Sequence, residues 1–367
     1  YGAAVGQPII RGMSGPRVKI LKNGVVNRDV SGLGVDHLND VDLHDISQVE
    51  IVKGPSSLLY ANGTIGGIIN VVDDCISALN YELPEISVGY ETQSVNDGNS
   101  ENFNFKNNIN GFNVNFGYKN IDFGNYDIPS GAILHEEEDH DDHDDHDDDD
   151  HHDEDMGFLN NSDYAVEATK FGISKVGDWG YVGFSVDNLE SVYGIPFHGD
   201  EHGDEHGDEH GDEEEHDEHG EERIFSTTDS ESFTIKGSYN INGSLINKID
   251  FNYRDSDYSL TEAHEEEEHH EEDEHDEEEE HEEHAPTVFM NEAVEYGATF
   301  DISNDSSTQK VVVNFVDEDN SIVGEEAFMN PANSKEFTIG YYLSKDLGIY
   351  DLDVGFRHDQ IERSGSV

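Results

Sequence analysis

The chain has 367 residues, a formal net charge of -66 and a single cysteine, Cys75. One cysteine excludes an internal disulfide framework, and no stretch reaches the roughly 18 consecutive apolar residues of a membrane-spanning helix. The charge suggests a disordered polyanion, but residues 135–155, 198–222 and 262–284 hold 45 of the 85 acidic residues and 18 of the 21 histidines, with no Lys or Arg.

Residues 1–76 are glycine-rich, carry short apolar runs (VKIL, VEIV, GIINVV) and contain no acidic block. Within them Val49, Ile51 and Val52 predict a strand that Gly54-Pro55 ends. Ser56–Tyr60 then forms a short turn-like segment. Gly63, Gly66 and Gly67 allow close backbone packing before a second strand over Ile68–Val72.

Residues 77–367 follow a different rule, with polarity alternating every second residue. Ser232–Ile241 sets Phe233, Ile235, Tyr239 and Ile241 against Thr234, Lys236, Ser238 and Asn240. Leu245–Tyr258 and Val294–Ile302 repeat the pattern, as do Phe112–Lys119, Gly180–Asn188 and Lys335–Tyr342. Period two over about 8–12 residues is a strand with one apolar and one polar face. From Glu85, short turns at Asn110-Gly111, Val176–Asp178, Asn242–Ser244, Asn304–Ser307 and Lys345–Gly348 alternate with long connections. The three acidic runs fall in the long connections after the third, fifth and seventh strands. Antiparallel neighbours place those loops on one rim, which favours a transmembrane barrel over a soluble sandwich. About eleven strands are expected; a closed bacterial barrel has an even number, so the chain is expected to stop partway round.

The acidic runs carry chemistry of their own. Imidazole suits zinc, copper and nickel, whereas carboxylate alone suits calcium or magnesium. His198, His202, His206 and His210 recur every four residues, but Gly199, Gly203, Gly207 and Gly211 share the period and disfavour a helix. Loose two- or three-ligand sites are therefore expected, with a solvated charge brush as the alternative. Cys75 supports no redox or ligand chemistry. No Ser/His/Asp, Cys/His or phosphate-cradling pattern has a supporting context, so no enzyme is expected. No nucleic-acid partner is expected.

Pro8–Met13, Arg17–Ile20, Asn23-Gly24 and the 24-residue string Val49–Val72 together resemble the plug domain of TonB-dependent receptors. Within that family the chain is most similar to the zinc-uptake receptors. Asp36-His37 lies where those receptors carry an Asp-His zinc pair on the plug's outer surface. Tyr193–Pro196 with His198 resembles their Tyr-Gly-Leu-Pro…His segment, and the Phe251–Asp257 strand end leads into a third His/Glu region. The acidic tracts are longer and simpler here, and the resemblance does not place the subfamily's later barrel ligands. The resemblance implies a plug (1–76) followed by the first half of a transmembrane antiparallel β-barrel (77–367) in the bacterial outer membrane, in contact with its lipid. It implies zinc as the transported ligand, with nickel, cobalt and copper open. Candidate ligands are Asp36, His37, His198, His202, His206, His264 and His284. Energy would come from the TonB complex, whose contact segment, like any secretory signal, is expected before Tyr1. The other readings are a siderophore or haem receptor whose tracts are an incidental brush, and a passive surface cation buffer or adhesin.

Overall fold

The computed structural model describes residues 6–33, 37–129, 132, 157–196, 223–241, 243, 245–265, 285–324 and 327–365. Two sheets dominate. The smaller contains β1 (Val18–Lys22), β2 (Val25–Val26), β3 (Ile46–Val52) and β4 (Gly67–Asp73), in the order β2-β1-β4-β3. Asn23 and Gly24, both at positive φ, close the β1–β2 turn, the conformation that favours these two residue types. β1 and β4 run parallel, and Leu21 and Ile68, on the same face of the pair, are wholly buried. The 3-10 turn Pro55–Leu59 occupies the turn-like segment expected after Gly54-Pro55.

The larger sheet has eleven antiparallel strands: β5 (Glu85–Gln93), β6 (Gly98–Ile109), β7 (Phe112–Phe123), then β10 (Tyr164–Gly177) through β17 (Asp351–Gly365). The short pair β8 (Tyr126–Asp127) and β9 (Phe158–Leu159) forms a separate two-stranded ladder in the connection between β7 and β10. Between β10 and β17 come β11 (Gly180–Gly194), β12 (Arg223–Asn240), β13 (Lys248–Glu265), β14 (Thr287–Asp301), β15 (Thr308–Val323) and β16 (Ala332–Asp346). Each pairs with its chain neighbour, so the order in space follows the sequence, as hairpin connections require.

The two faces of this sheet distinguish a barrel from a sandwich. The apolar parity is exposed, with Phe184, Val186, Phe233, Tyr296, Phe315, Ile339 and Phe356 outward. The polar parity is buried, including Asn104, Asn113, Ser185, Thr234, Arg254, Glu295 and Thr338. Apolar residues outside and polar residues inside are the pattern of a wall that faces lipid. The small sheet packs on the polar face. At Gly172 a Cβ would run into the Cys75 carbonyl, so only glycine lets the end of the plug lie this close to β10.

Strands extend further than alternation predicts. β12 begins at Arg223 and β13 continues to Glu265, so the first residues of the 262–284 run belong to a strand. Beyond the apolar band the outward face becomes polar (Asp255, Asp257, Ser259) while inward positions such as Tyr258 and Leu260 turn apolar, so the alternation changes sense. The ladder continues because main-chain pairing does not depend on it.

Candidate functional site

The ladder registers divide the inner face into levels. Near the rim, Arg223 pairs with Glu265, Tyr164 with Tyr193, and Glu262 with Thr287. The described strand ends that bracket all three acidic runs therefore share one end of the sheet. His264 lies here, exposed, opposite Ile224 and on the inward parity of β13. Arg223 donates to Asp163 at 2.6 Å and lies over the Phe225 ring.

Below the rim is an apolar collar. Val166, Leu260, Phe289 and Ile322 occupy one ladder level, with Tyr193, Ile195, Ile224 and Tyr258 beside them. Val30 and Leu38 of the plug pack against it, and Leu38 N–H donates to the Tyr193 hydroxyl. His37 belongs to this layer. It is 6% exposed and its ring meets Phe289 edge-on, with centroids 5.1 Å apart.

Beneath the collar lies a belt of charge on three adjacent ladder levels. Lys119, Ser230 and Tyr258 stand on the first; Lys170, Asp187, Ser232 and Glu318 on the second; Lys106, Arg254 and Glu295 on the third. The plug answers each charge. Lys22 pairs with Asp187 at 2.9 Å, and Arg28 bridges Glu295 and Glu318 at 2.8 and 3.2 Å. Segment 42–45 is held by three wall lysines: Lys119 and Lys170 on Asp42, and Lys106 on Asp45 at 3.0 Å. Lys170 also donates to the His44 carbonyl, and the His44 ring lies 2.7 Å from the Asn104 amide.

The electrostatics of the plug follow from this burial. Burial alone would drive the Lys22 ammonium neutral, but Asp187 and Asp73 outweigh it and hold the proton more firmly than usual. Burial also raises the Asp73 carboxyl, yet Lys22 and Lys170 reverse that and keep it below the usual range. His44 is pushed down by burial, with Lys170 and Lys119 adding to the effect against Asp42. Asp40 is pushed up to about 6 by burial; a bond from Ser230 opposes the rise and Asp29 adds to it.

Of the seven residues that sequence reasoning nominated, His37 and His264 are described, and they stand on different layers. Asp36, His198, His202, His206 and His284 lie outside the described residues. Among the described residues no group of three His, Cys, Asp or Glu side chains is arranged to hold a metal. The charged belt escaped sequence reasoning. A visible trace of it was Arg254, which stands on the polar face of its alternating strand.

Residues 1–68 match the TonB-dependent receptor plug domain. A hemin receptor of Yersinia enterocolitica is 34% identical over 97 residues, which is 26% of this chain and 13% of that protein. Among solved structures, the FrpB iron transporter of Neisseria meningitidis superposes with a TM-score of 0.65 at 12% identity, covering 98% of this chain and 54% of its own. The copper transporter OprC superposes at 0.67 and 11% identity, covering 99% and 51%. The chain thus spans about half the length of the solved structures it matches and a smaller share of the hemin receptor. Residues 1–68 thus carry the plug-domain match, and the inside-out strands that follow share the fold of these solved transporters.

Proposed function

We propose that this TonB-dependent outer-membrane receptor imports a divalent transition metal, zinc first, which the acidic His-rich tracts capture and hand to a plug site containing Asp36 and His37. One observation carries the reading: the described strand ends around all three tracts share one rim, and His37 lies in the layer beneath it. The tracts raise the local cation concentration by attraction that salt screens over roughly 8–10 Å. Imidazole among the carboxylates then favours zinc, nickel, cobalt or copper over calcium. His264, on the inward parity at the rim, is suited to pass metal downward. Two ligands are too few for tetrahedral zinc, so tract residues such as His198 or His284 complete the shell, and Phe289 turns aside for His37 to take part. The TonB complex supplies the energy.

The collar favours a second reading. Tyr193, Tyr258 and Phe289 beneath the rim could stack on a metal chelate such as haem or a siderophore. Growth of a strain lacking the receptor, with zinc, nickel, cobalt, copper, haem or a ferric siderophore each supplied at limiting concentration, separates the two. A defect confined to a free metal supports the first. A defect confined to a chelate replaces it with the second, and no defect on any source reduces the tracts to a passive cation buffer.

A further inference from the structure

Asp40 stands where the apolar collar meets the charged belt. It borders two small cavities in the seam between plug and wall. The upper is walled by Leu38, Tyr164, Leu189, Tyr193 and Tyr258; the lower has Lys22, Arg28, Asp42 and Asp187 among its walls. The Oδ1 atom of Asp40 is shielded from solvent and has no hydrogen-bond partner. Most of the charges around it are matched by others: Lys22 with Asp187, Arg28 with Glu295 and Glu318, Lys119 and Lys170 with Asp42. The neighbouring Asp29 is also buried, but it accepts from Ser31 N–H, Ser31 hydroxyl, Asp40 N–H and the Asn27 amide. Asp40 has no such set of donors. A buried carboxylate oxygen without donors is costly when ionised and tolerable when protonated.

We propose that Asp40 is a proton-binding site in the plug–wall seam, and that loss of its proton loosens segment 37–45 from the wall. With the proton on, Asp40 is neutral and suits the tyrosine-lined upper cavity. With the proton released to solvent, a third negative charge joins those of Asp29 and Asp42, and Lys22 is already engaged by Asp187. The groups facing it from each packed element are Lys22 from β1, Arg28, Asp29 and Asp42 from the plug loops, Tyr164 and Lys170 from β10, Asp187 and Tyr193 from β11, Ser230 from β12, and Arg254, Asp257 and Tyr258 from β13.

The direction follows from linkage. The docked carboxyl binds its proton more tightly than an exposed one, from 3.8 to about 6. The stabilising contribution is therefore complete below 3.8 and is lost as pH rises through about 6. His44, whose affinity for a proton is lowered on docking, has the opposite slope and cannot imitate it.

Hydrogen exchange of segment 37–45 in the full chain in detergent, corrected for intrinsic rates, tests this. From pH 5 to pH 8 the opening equilibrium should rise about tenfold, and Asp40→Asn should abolish the slope. Ser230→Ala removes the bond that favours the ionised form and should move the midpoint to higher pH; it carries the test if Asp40→Asn does not fold. A slope retained by Asp40→Asn, a slope of opposite sign in the unmodified chain, or a midpoint unmoved by Ser230→Ala would each overturn the assignment.

Discussion

Replacing Arg28 with Met probes how firmly the plug is held in the wall. The Arg28 guanidinium lies 2.8 Å from Glu295 and 3.2 Å from Glu318, and the three side chains are 15%, 6% and 21% exposed. Met keeps most of the apolar stem but leaves two carboxylates facing each other in a low-dielectric seam. Removing one partner of a buried ion pair costs about 3–5 kcal/mol, which is on the order of a hundredfold or more in an opening equilibrium. Cys75 provides the readout. Its thiol is buried beside Gly172 of β10, and burial raises its proton affinity, so a maleimide reacts only when the plug parts from the wall. The Arg28→Met chain in detergent should therefore label on the order of a hundredfold faster than the unmodified chain. Adding Glu295→Gln and Glu318→Gln should recover most of the loss, because the stranded charges are then gone. Labelling of Arg28→Met at the unmodified rate would show that the triad does not hold the plug and that packing alone does.

Other outcomes test the wall and the rim. Phe233→Lys, on the outward face of β12 and 37% exposed, should cost about 2–4 kcal/mol in folding into lipid vesicles if it lies near the bilayer midplane; indifference would show that this face does not meet lipid. Gly172→Ala should lower stability by about 1–3 kcal/mol, because the new methyl overlaps the Cys75 carbonyl; calorimetric melting in detergent measures it. Zinc titration of the full chain should show several weak sites that weaken as pH falls through the histidine range near 6.5, since ligation needs neutral imidazole. Equal calcium affinity without that pH dependence would leave the carboxylates acting alone. His37→Ala should reduce zinc uptake even when zinc is abundant, whereas deleting residues 135–155 should matter chiefly at scarce zinc and low salt; radiometal uptake in cells separates the two.

The strands and the plug were legible because their signals are local. Alternation over Ser232–Ile241 predicts both the strand and the partition of its side chains; Phe233 faces out and Thr234 in. The string Val49–Val72 predicts β3, the Pro55–Leu59 turn and β4 in order. The seam was not legible because its pairs are joined only by register. Lys170 and the His44 carbonyl are 126 residues apart, and Arg28 and Glu295 are 267 apart. No spacing rule links such residues until the ladder places Lys170 and Glu318, for instance, on one level. His37 shows the same limit. Its position in the plug sequence suggests an outer-surface ligand, but burial beneath the rim depends on Phe289, which arrives from β14 with no local mark of its role.

The arrangement of charge also constrains how any cation could pass. The acidic runs carry 45 acidic residues and no base, whereas Lys22, Arg28, Lys106, Lys119, Lys170 and Arg254 all sit in the seam below. A cation drawn to the rim therefore meets an apolar collar and then a belt whose carboxylates are mostly already paired. With bases and carboxylates paired, no group of three His, Cys, Asp or Glu side chains among the described residues of the docked seam is arranged to receive a free divalent ion. The two cavities beside Asp40 hold only a few water molecules. In the proposed reading, a cation passes this part of the seam only when the plug parts from the wall. The ion pairs of Lys22, Arg28 and segment 42–45 then set the work that an energy source must supply, and a single protonation at Asp40 lies where it can adjust that work.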